Sequence, residues 1–167
     1  MGMAGATGNG TGLPSLGRRG EGWFAVQVAL MAAVALAGLL GPAWDGAARA
    51  VSTVLGGILV VLGGGLGVRA LVDLRSSFTP LPRPVEGGEL VQSGIYRLVR
   101  HPMYLAVVTG ALGWSLLTAS IPALAASLVL FAFFDLKSRR EETWLVEAYP
   151  GYERYRQRTR RIVPGLY

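Results

Sequence analysis

The sequence predicts an all-α, polytopic integral membrane protein with four transmembrane helices and a cytoplasmic C-terminal helical tail. Composition is the first observation, because 51% of the 167 residues are hydrophobic and only 16% are charged, whereas soluble domains contain about 25% charged residues. The second observation is that the uncharged residues fall into three long runs. The third is that the chain has no cysteine and one histidine. These counts exclude disulfides, thiolate catalysis, Cys-based metal sites and multi-histidine metal clusters.

Residues 1–20 are rich in Gly, with a few Thr and Ser residues, and show no apolar periodicity. A segment of this kind buries too little apolar surface to offset the entropy cost of ordering it, so we predict that it is disordered. The remainder, residues 21–167, is predicted to form one membrane domain.

The first two uncharged runs predict transmembrane helices at about 22–42 and 49–69. Each run is long enough to cross a hydrocarbon core of about 30 Å. Gly63 and Gly67 in the second run have the spacing that allows transmembrane helices to approach closely. We therefore expect the second helix to pack tightly against a neighbour.

A polar connector, residues 69–102, follows the second run. Proline recurs at alternate positions in it, at Pro80, Pro82 and Pro84. This spacing prevents a regular helix and favours an extended path. A loop of this length in a small membrane protein is more often functional than a simple spacer.

The third uncharged run, residues 103–134, is too long to be a single span, since one helix of this length would measure about 48 Å. The sequence Ser120-Ile121-Pro122 supplies a break. We predict a hairpin of two helices of equal length, 103–118 and 122–137. The basic, aromatic tail is predicted to continue as a helix that ends before Pro150.

The distribution of basic residues predicts the orientation. In a four-span arrangement, fifteen of the sixteen Lys and Arg residues lie on the side that holds both termini and the connector, and only Arg49 lies on the other. Because positively charged loops remain in the cytoplasm, we expect both termini there, in a protein of the cell (inner) membrane. The same asymmetry accounts for the net charge of +6, so no nucleic-acid partner is expected.

Titratable residues lie at both ends of the predicted hairpin. Because its two arms are equal in length, the segment Tyr96–Tyr104 and the segment Lys137–Glu142 should meet at the cytoplasmic face. His101 would then lie near Glu141 and Glu142. Titratable groups crowded at a membrane boundary are typical of functional sites.

Each of these residues also has a simpler interpretation when it is taken alone. Arg100 fits a topology anchor, and His101 fits a cap for the helix that Pro102 begins. Glu141 and Glu142 fit a solvated helix face. The joint pattern is harder to explain in this way than any single residue.

Three motifs follow one another in order between about residues 78 and 164. They are Gly94-Ile95-Tyr96-Arg97-Leu98-Val99-Arg100-His101-Pro102-Met103-Tyr104, then Glu141-Glu142-x-x-Leu145, then Tyr149-Pro150-Gly151-Tyr152-x-x-Tyr155 with Arg161-x-x-Pro164. This pattern resembles the isoprenylcysteine carboxyl methyltransferase and phospholipid methyltransferase group of integral membrane enzymes. The group often has Gly at the position of Ala106, and we expect Gly110 and Gly113 to provide the close helix approach instead.

The resemblance implies methyl transfer from S-adenosylmethionine, bound in a cytoplasm-facing pocket formed by the last two helices and the tail. The cofactor-binding residues that it implies are Tyr96, Arg100, His101, Pro102, Tyr104, Glu142, Tyr152 and Tyr155, and no metal is expected. Arg100 would place a cation near the pocket mouth. Glu141 or Glu142 would be the catalytic base if the acceptor is an amine, which must first lose a proton.

The expected acceptor is lipophilic, because a pocket that opens between helices admits molecules from the bilayer. An isoprenylcysteine carboxylate, a phospholipid amine and a small hydrophobic molecule all fit, and the residues do not choose among them. Trp114 and the apolar sides of the two hairpin helices are predicted to form the lateral opening. The oligomeric state is not predicted.

Two other functions stay open. Membrane sterol-type reductases, which use NADPH, share an Arg-His-Pro-x-Tyr-like element and a basic, aromatic C-terminus, but they usually have a larger helical body. A non-enzymatic four-helix scaffold or small transporter is the second alternative. Transporters typically place charged or polar groups within the membrane, whereas Gln27, Ser and Thr are the only polar side chains of the three uncharged runs besides their aromatic residues.

Overall fold

The computed structural model describes residues 12–14, 16–74, 79, 81, 83 and 87–165. In this part the chain forms five α-helices and a 3-10 helix, Gly94–Arg97, and no strand beyond isolated bridges. The α-helices are α1 (Glu21–Leu40), α2 (Ala47–Leu74), α3 (Pro102–Leu117), α4 (Ile121–Ala148) and α5 (Tyr152–Arg158). The all-α prediction is therefore confirmed. The predicted disorder of residues 1–11 and 15 and the path of the connector at Pro80, Pro82 and Pro84 lie outside the described residues.

Three of the described helices, α1, α2 and α4, are long and apolar enough to cross a membrane. Helix α3 is also apolar but has only 16 residues, which corresponds to about 24 Å. The chain thus has the helices of an integral membrane protein, with one helix shorter than the other three.

Helix α4 does not end at residue 137 as predicted but has 28 residues and continues to Ala148. The predicted tail helix is therefore the second half of α4. The physical reason is that no Gly or Pro occurs between Pro122 and Pro150, and the intervening Arg, Glu and Leu residues favour helix. The prediction that the helix ends before Pro150 is confirmed, with Tyr149 as the C-cap.

The break between α3 and α4 occurs where the sequence predicts it. Ala119 has a positive φ of 51°, and the Ser120 hydroxyl accepts a hydrogen bond from the Ala123 N–H at 3.3 Å. The same hydroxyl donates to the Ala37 carbonyl of α1 at 2.9 Å, and the Trp44 N–H donates to the Ala119 carbonyl. The α1–α2 loop and the α3–α4 turn therefore lie together, at what we call the turn end.

Helices α2 and α3 run antiparallel and in close contact. A Cβ atom added to Gly63 would lie 2.7 Å from the Gly110 nitrogen, and one added to Gly113 would lie 2.7 Å from the Val60 nitrogen. Glycine is required at both positions because any side chain would meet the main chain of the partner helix. The predicted roles of Gly63 and Gly113 are confirmed. A Cβ on Gly67 would make only an ordinary contact with Ala106, and a Cβ on Gly110 would have nothing within 4 Å, so these two positions do not require glycine for the contact.

Helix α1 packs antiparallel on α4, from Ala37 near Ser120 to Gln27 near Lys137. Together with the α2–α3 pair, this arrangement brings the start of α1, the end of α2 and the start of α3 to one end of the bundle. The second half of α4 and α5 lie at the same end, which we call the cavity end.

Candidate functional site

A cavity of about 200 Å³ lies at the cavity end of the bundle. Residues from the 3-10 helix, the start of α3, the second half of α4 and α5 line it. Of the predicted site residues, those on its wall are Tyr96, Arg100, His101, Pro102, Tyr104, Glu141, Tyr152 and Tyr155. The two ends of the α3–α4 hairpin therefore converge as the sequence predicts.

The start of α3 positions two aromatic rings on this wall. Pro102 occupies the first turn of the helix, and His101 is at the N-cap but its side chain makes no capping hydrogen bond. The interpretation of His101 as a helix cap is therefore wrong for its side chain. The imidazole instead stacks on Tyr104, with ring centroids 5.2 Å apart, and Tyr104 stacks on Phe134 of α4 at 4.5 Å.

The tail docks on the segment that precedes α3. The Arg100 N–H donates to the Arg160 carbonyl at 2.8 Å, and the His101 N–H donates to the Arg161 carbonyl at 3.0 Å. The guanidinium of Arg100 also donates to the carbonyls of Arg156 and Thr159. These bonds fix α5 and the residues after it beside the cavity.

Glu142 lies behind the cavity wall and is not part of its lining. Its Oε1 accepts a hydrogen bond from Arg100 Nε at 2.7 Å and lies 3.3 Å from His101 Nε2. Arg161 Nε is 3.6 Å from the same oxygen. Charge-assisted bonds of this kind are short and strong, so Glu142 holds Arg100 and His101 in place.

Glu141, the preceding residue, does line the cavity. Its Oε2 accepts a hydrogen bond from the Tyr104 hydroxyl at 2.5 Å and lies 3.7 Å from His101 Nδ1. The two adjacent glutamates therefore bind the two sides of the same imidazole ring, and only Glu141 faces the ligand space.

Three buried tyrosines form the rest of the polar wall. The Tyr155 hydroxyl donates to the Tyr96 carbonyl at 2.6 Å and joins α5 to the 3-10 helix. Burial raises the pKa of Tyr96, Tyr152 and Tyr155 above the usual value for a phenol, so each stays a neutral donor at physiological pH. Within the described part of the chain, the buried Tyr152 hydroxyl has no hydrogen-bond partner.

Several residues on or behind the wall are not among the predicted site residues. Lys137 and Gln27 line the cavity and bind each other, and apolar side chains complete the lining, among them Leu74, Met103, Val107 and Leu145. Asp73 at the end of α2 accepts a hydrogen bond from the Ile95 N–H at 2.8 Å and so fixes the 3-10 helix. A sequence signal existed for Lys137, which is the only lysine of the chain, and for Gln27, which is the only amide in the predicted spans.

Other basic and aromatic residues lie away from the cavity. Arg161 forms an ion pair with Asp135 at 3.1 Å, and the Arg140 guanidinium lies over the Trp144 ring at 4.4 Å. Trp114 packs near Gly38 of α1 and does not line the cavity. The lateral opening predicted at Trp114 is therefore not part of this cavity.

The helices and the cavity define an α-helical integral membrane protein with a polar and aromatic cavity at one end of its bundle. Residues 51–151 match the sequence profile of the phospholipid methyltransferase family. The chain belongs to this family, and the resemblance inferred from its motifs is confirmed.

The individual relatives are named either as metal resistance proteins or as protein-S-isoprenylcysteine O-methyltransferases. The chain is 36% identical over 78 residues to the cobalt-zinc-cadmium resistance protein CzcN of Cupriavidus metallidurans, which covers 46% of this chain and 36% of the relative. It is 35% identical over 99 residues to protein-S-isoprenylcysteine O-methyltransferase of Schizosaccharomyces pombe, covering 57% of this chain and 42% of that protein. The Saccharomyces cerevisiae protein of the same name is 31% identical over 123 residues, which is 71% of this chain and 52% of the relative. The matches thus span about a third to a half of these relatives.

Proposed function

We propose that this protein transfers a methyl group from S-adenosylmethionine to a lipophilic acceptor at the membrane surface. The observation that carries the proposal is the convergence of Tyr104 and Glu141, from separate motifs, on the wall of one cavity. Membership of the phospholipid methyltransferase family supports it.

The groups on the cavity wall fit the chemistry of this cofactor. S-adenosylmethionine presents a carboxylate, an ammonium, ribose hydroxyls, an adenine ring and a positively charged sulfur. The Tyr152 hydroxyl, which has no partner among the described residues, would donate to one of its acceptors. The Glu141 carboxylate would bind a hydroxyl or the ammonium. The ring of Tyr96 would pack against the adenine or the charged sulfur.

Arg100, His101 and Glu142 are assigned a positioning role. Arg100 is bonded to Glu142 and to two main-chain carbonyls of the tail, and His101 lies between the two glutamates. Pro102 begins α3 directly after them. Together they hold Tyr104 and the tail tyrosines in a fixed geometry, and such preorganisation of the residues around a ligand is a major source of catalysis.

The bound cofactor supplies a methyl group already activated by its positively charged sulfur. The main tasks of the chain are then to orient the acceptor and to exclude water. A carboxylate or thiolate acceptor needs no base. An amine acceptor must lose a proton, and Glu141 is the carboxylate on the wall that would accept it. We assign this role to Glu141 and not to Glu142, because Glu142 is enclosed by Arg100, His101 and Arg161.

We also propose that the chain crosses the membrane four times, with both termini and the cavity end in the cytoplasm. Helix α3 starts at the cavity end and finishes at the turn end, antiparallel to α2 along their contact. A short span of this kind is accommodated by local thinning of the bilayer. The basic residues of the cavity end support this orientation.

The apolar part of the cavity wall supports a lipophilic acceptor. Leu74, Met103, Val107 and Leu145 lie beside the polar groups, and an amphiphile matches a wall with apolar and polar portions. An isoprenylated cysteine carboxylate, a phospholipid amine and a small hydrophobic acid or thiol all satisfy this requirement.

The test is methyl transfer by the purified protein in lipid nanodiscs. Cofactor with a labelled methyl group is supplied together with membrane extract, and the organic and aqueous phases are counted. We expect label in the organic phase, strongly reduced by Glu141→Gln and by Tyr152→Phe. Arg49→Gln, at the turn end, is the matched control and should leave the rate unchanged.

Two outcomes contradict the proposal. Label that appears only in water-soluble products excludes a lipophilic acceptor. Binding of reduced nicotinamide cofactor, without binding of S-adenosylmethionine or its demethylated product, favours a reductase instead.

A further inference from the structure

Lys137 is a buried cation on the cavity wall. It is the only lysine of the chain, its residue is 1% exposed, and it lines the cavity. Its Nζ donates to the Gln27 side-chain oxygen of α1 at 2.5 Å and lies 5.2 Å from the centroid of the Tyr104 ring. The partners of this ammonium are thus an amide and an aromatic face, both neutral.

A buried ammonium is costly unless an anion or several hydrogen bonds compensate for its lost hydration. Among the described residues, no carboxylate lies within 4.0 Å of Nζ. Glu141 is one turn further along α4, but its Oε2 contacts the Tyr104 hydroxyl and His101. An ammonium has three donors, and Gln27 takes one of them.

Arg100 does not offer the same chemistry, although it also lines the cavity. Its Nε is bonded to Glu142, and its Nη1 is bonded to the Arg156 and Thr159 carbonyls. Its charge is therefore paired directly with a carboxylate of the protein. Lys137 is bonded to a neutral amide, lies on the cavity wall and is in direct contact with no carboxylate of the described residues, although the Glu141 carboxylate acts on it from a longer distance.

We propose that Lys137, positioned by Gln27, binds the carboxylate of a ligand in the cavity. The inference deepens the proposed methyltransferase function and rests on it. Two ligands would bring a carboxylate here, namely the amino-acid part of the cofactor and an acidic lipophilic acceptor. In either case α1 becomes part of the site through Gln27, although the family match begins only at residue 51.

Binding measurements by calorimetry on the full chain in detergent or nanodiscs separate the two ligands. The first pair of probes is S-adenosylhomocysteine and 5′-methylthioadenosine, which share the adenosine and the sulfur but differ in the amino-acid group. The second pair is N-acetyl-S-farnesylcysteine and its methyl ester, which differ in the free carboxylate.

The variants are Lys137→Met, which keeps the length of the chain without its charge, and Gln27→Leu, which removes the amide that positions the ammonium. Arg139→Met is the matched control, because Arg139 is a partly exposed cation on the same helix that does not line the cavity. Thermal unfolding of each variant reports whether it is folded. If Lys137→Met does not fold, Gln27→Leu carries the test.

A carboxylate contact predicts selective loss of affinity. If the cofactor's carboxylate binds here, Lys137→Met lowers the affinity for S-adenosylhomocysteine by about tenfold or more and leaves the affinity for methylthioadenosine unchanged. If the acceptor's carboxylate binds here, the variant lowers the affinity for the farnesylated acid by a similar factor and leaves the affinity for its methyl ester unchanged. Gln27→Leu should lower the affinity for the same ligand, by a smaller factor.

Equal affinities of wild type and Lys137→Met for both carboxylate ligands overturn the inference and leave the proposed function intact. An equal loss for the ligands that lack the carboxylate also overturns it, because the effect would then be on cavity shape. Failure of the wild type to bind either S-adenosylhomocysteine or the acid contradicts the proposed function and the inference together.

Discussion

Arg100 Nε donates a hydrogen bond to Glu142 Oε1 at 2.7 Å, and the two side chains are only 7% and 4% exposed. This ion pair joins the segment before α3 to the second half of α4, and Arg100 adds two bonds to the carbonyls of the tail. The cavity wall is therefore held together by a pair that does not itself depend on a ligand. The geometry of the cavity wall is therefore set by the folded chain before any ligand binds.

Removing one partner of this pair should damage both stability and binding. Glu142→Gln leaves the Arg100 charge buried without a counter-charge, and a buried pair broken in this way typically costs about 3–5 kcal/mol. We expect a clear drop in the unfolding midpoint in detergent and weaker binding of S-adenosylhomocysteine, although Glu142 does not line the cavity. Thermal unfolding and calorimetry on the same samples measure the two effects.

The control for this prediction is Glu153→Gln. Glu153 pairs with Arg156 at 2.8 Å, but both side chains are about half exposed, and exposed pairs contribute little. Equal unfolding midpoints for Glu142→Gln and Glu153→Gln would show that the buried pair does not stabilise the fold.

The positions of the helices and the convergence of the motifs were predictable from the sequence. Long uncharged runs predict helices because the bilayer leaves main-chain groups no other partner, and the break at Ser120 follows from its capping and from Pro122. The equal arms of the hairpin then bring Tyr104 near Glu141. Each of these inferences uses residues that are close in sequence or related by simple helix geometry.

The division of roles between Glu141 and Glu142 was not predictable. Adjacent residues on a helix point about 100° apart, so the rotation of α4 decides which glutamate faces the cavity. Lys137 and Gln27 are separated by 110 positions in the chain, and only the packing of α1 on α4 brings them together. The extension of α4 to Ala148 was missed because a change from apolar to charged composition resembles a helix end.

The 3-10 helix at the cavity should depend on Gly94. This residue has a φ of +58°, and an added Cβ would lie against the Asp73 carboxylate, whose Oδ2 accepts the Ile95 N–H. We therefore expect Gly94→Ala to destabilise the fold by about 1–3 kcal/mol, which lowers the unfolding midpoint. We also expect it to weaken ligand binding.

Gly46→Ala provides the matched comparison. Gly46 also has a positive φ, of +77°, but an added Cβ there would have nothing within 4 Å. The difference between the two variants isolates the contact with Asp73 from the strain of the backbone. If Gly94→Ala binds ligand as the wild type does, the Asp73 contact does not position the cavity wall.

The α2–α3 contact gives a prediction about two adjacent glycines. Gly63→Ala places a Cβ against the Gly110 nitrogen and the Ala106 carbonyl, whereas a Cβ on Gly64 would have nothing within 4 Å. Overpacking typically costs about 1–3 kcal/mol, and alanine is the better helix former by about 1 kcal/mol. We expect Gly63→Ala to lower the unfolding midpoint and Gly64→Ala to leave it equal or higher. The opposite order would contradict the close main-chain contact described at Gly63.

The orientation of the bundle can be tested cleanly because the chain has no cysteine of its own. Single-cysteine variants at Asp45 and Ile121 report the turn end, and variants at Leu98 and Glu147 report the cavity end. All four positions are exposed in the structure. A membrane-impermeant maleimide added to intact cells should label the first two, since the fifteen basic residues of the other side keep it in the cytoplasm.

Labelling of Leu98→Cys and Glu147→Cys should require permeabilised cells. Ile121→Cys is the decisive position for α3, because this residue follows the short helix directly. If α3 crosses the bilayer, Ile121→Cys reacts from the same side as Asp45→Cys and from the side opposite to Leu98→Cys. Reaction of Ile121→Cys and Leu98→Cys from one side would mean that α3 does not cross, and the three long helices would then place the termini on opposite sides of the membrane.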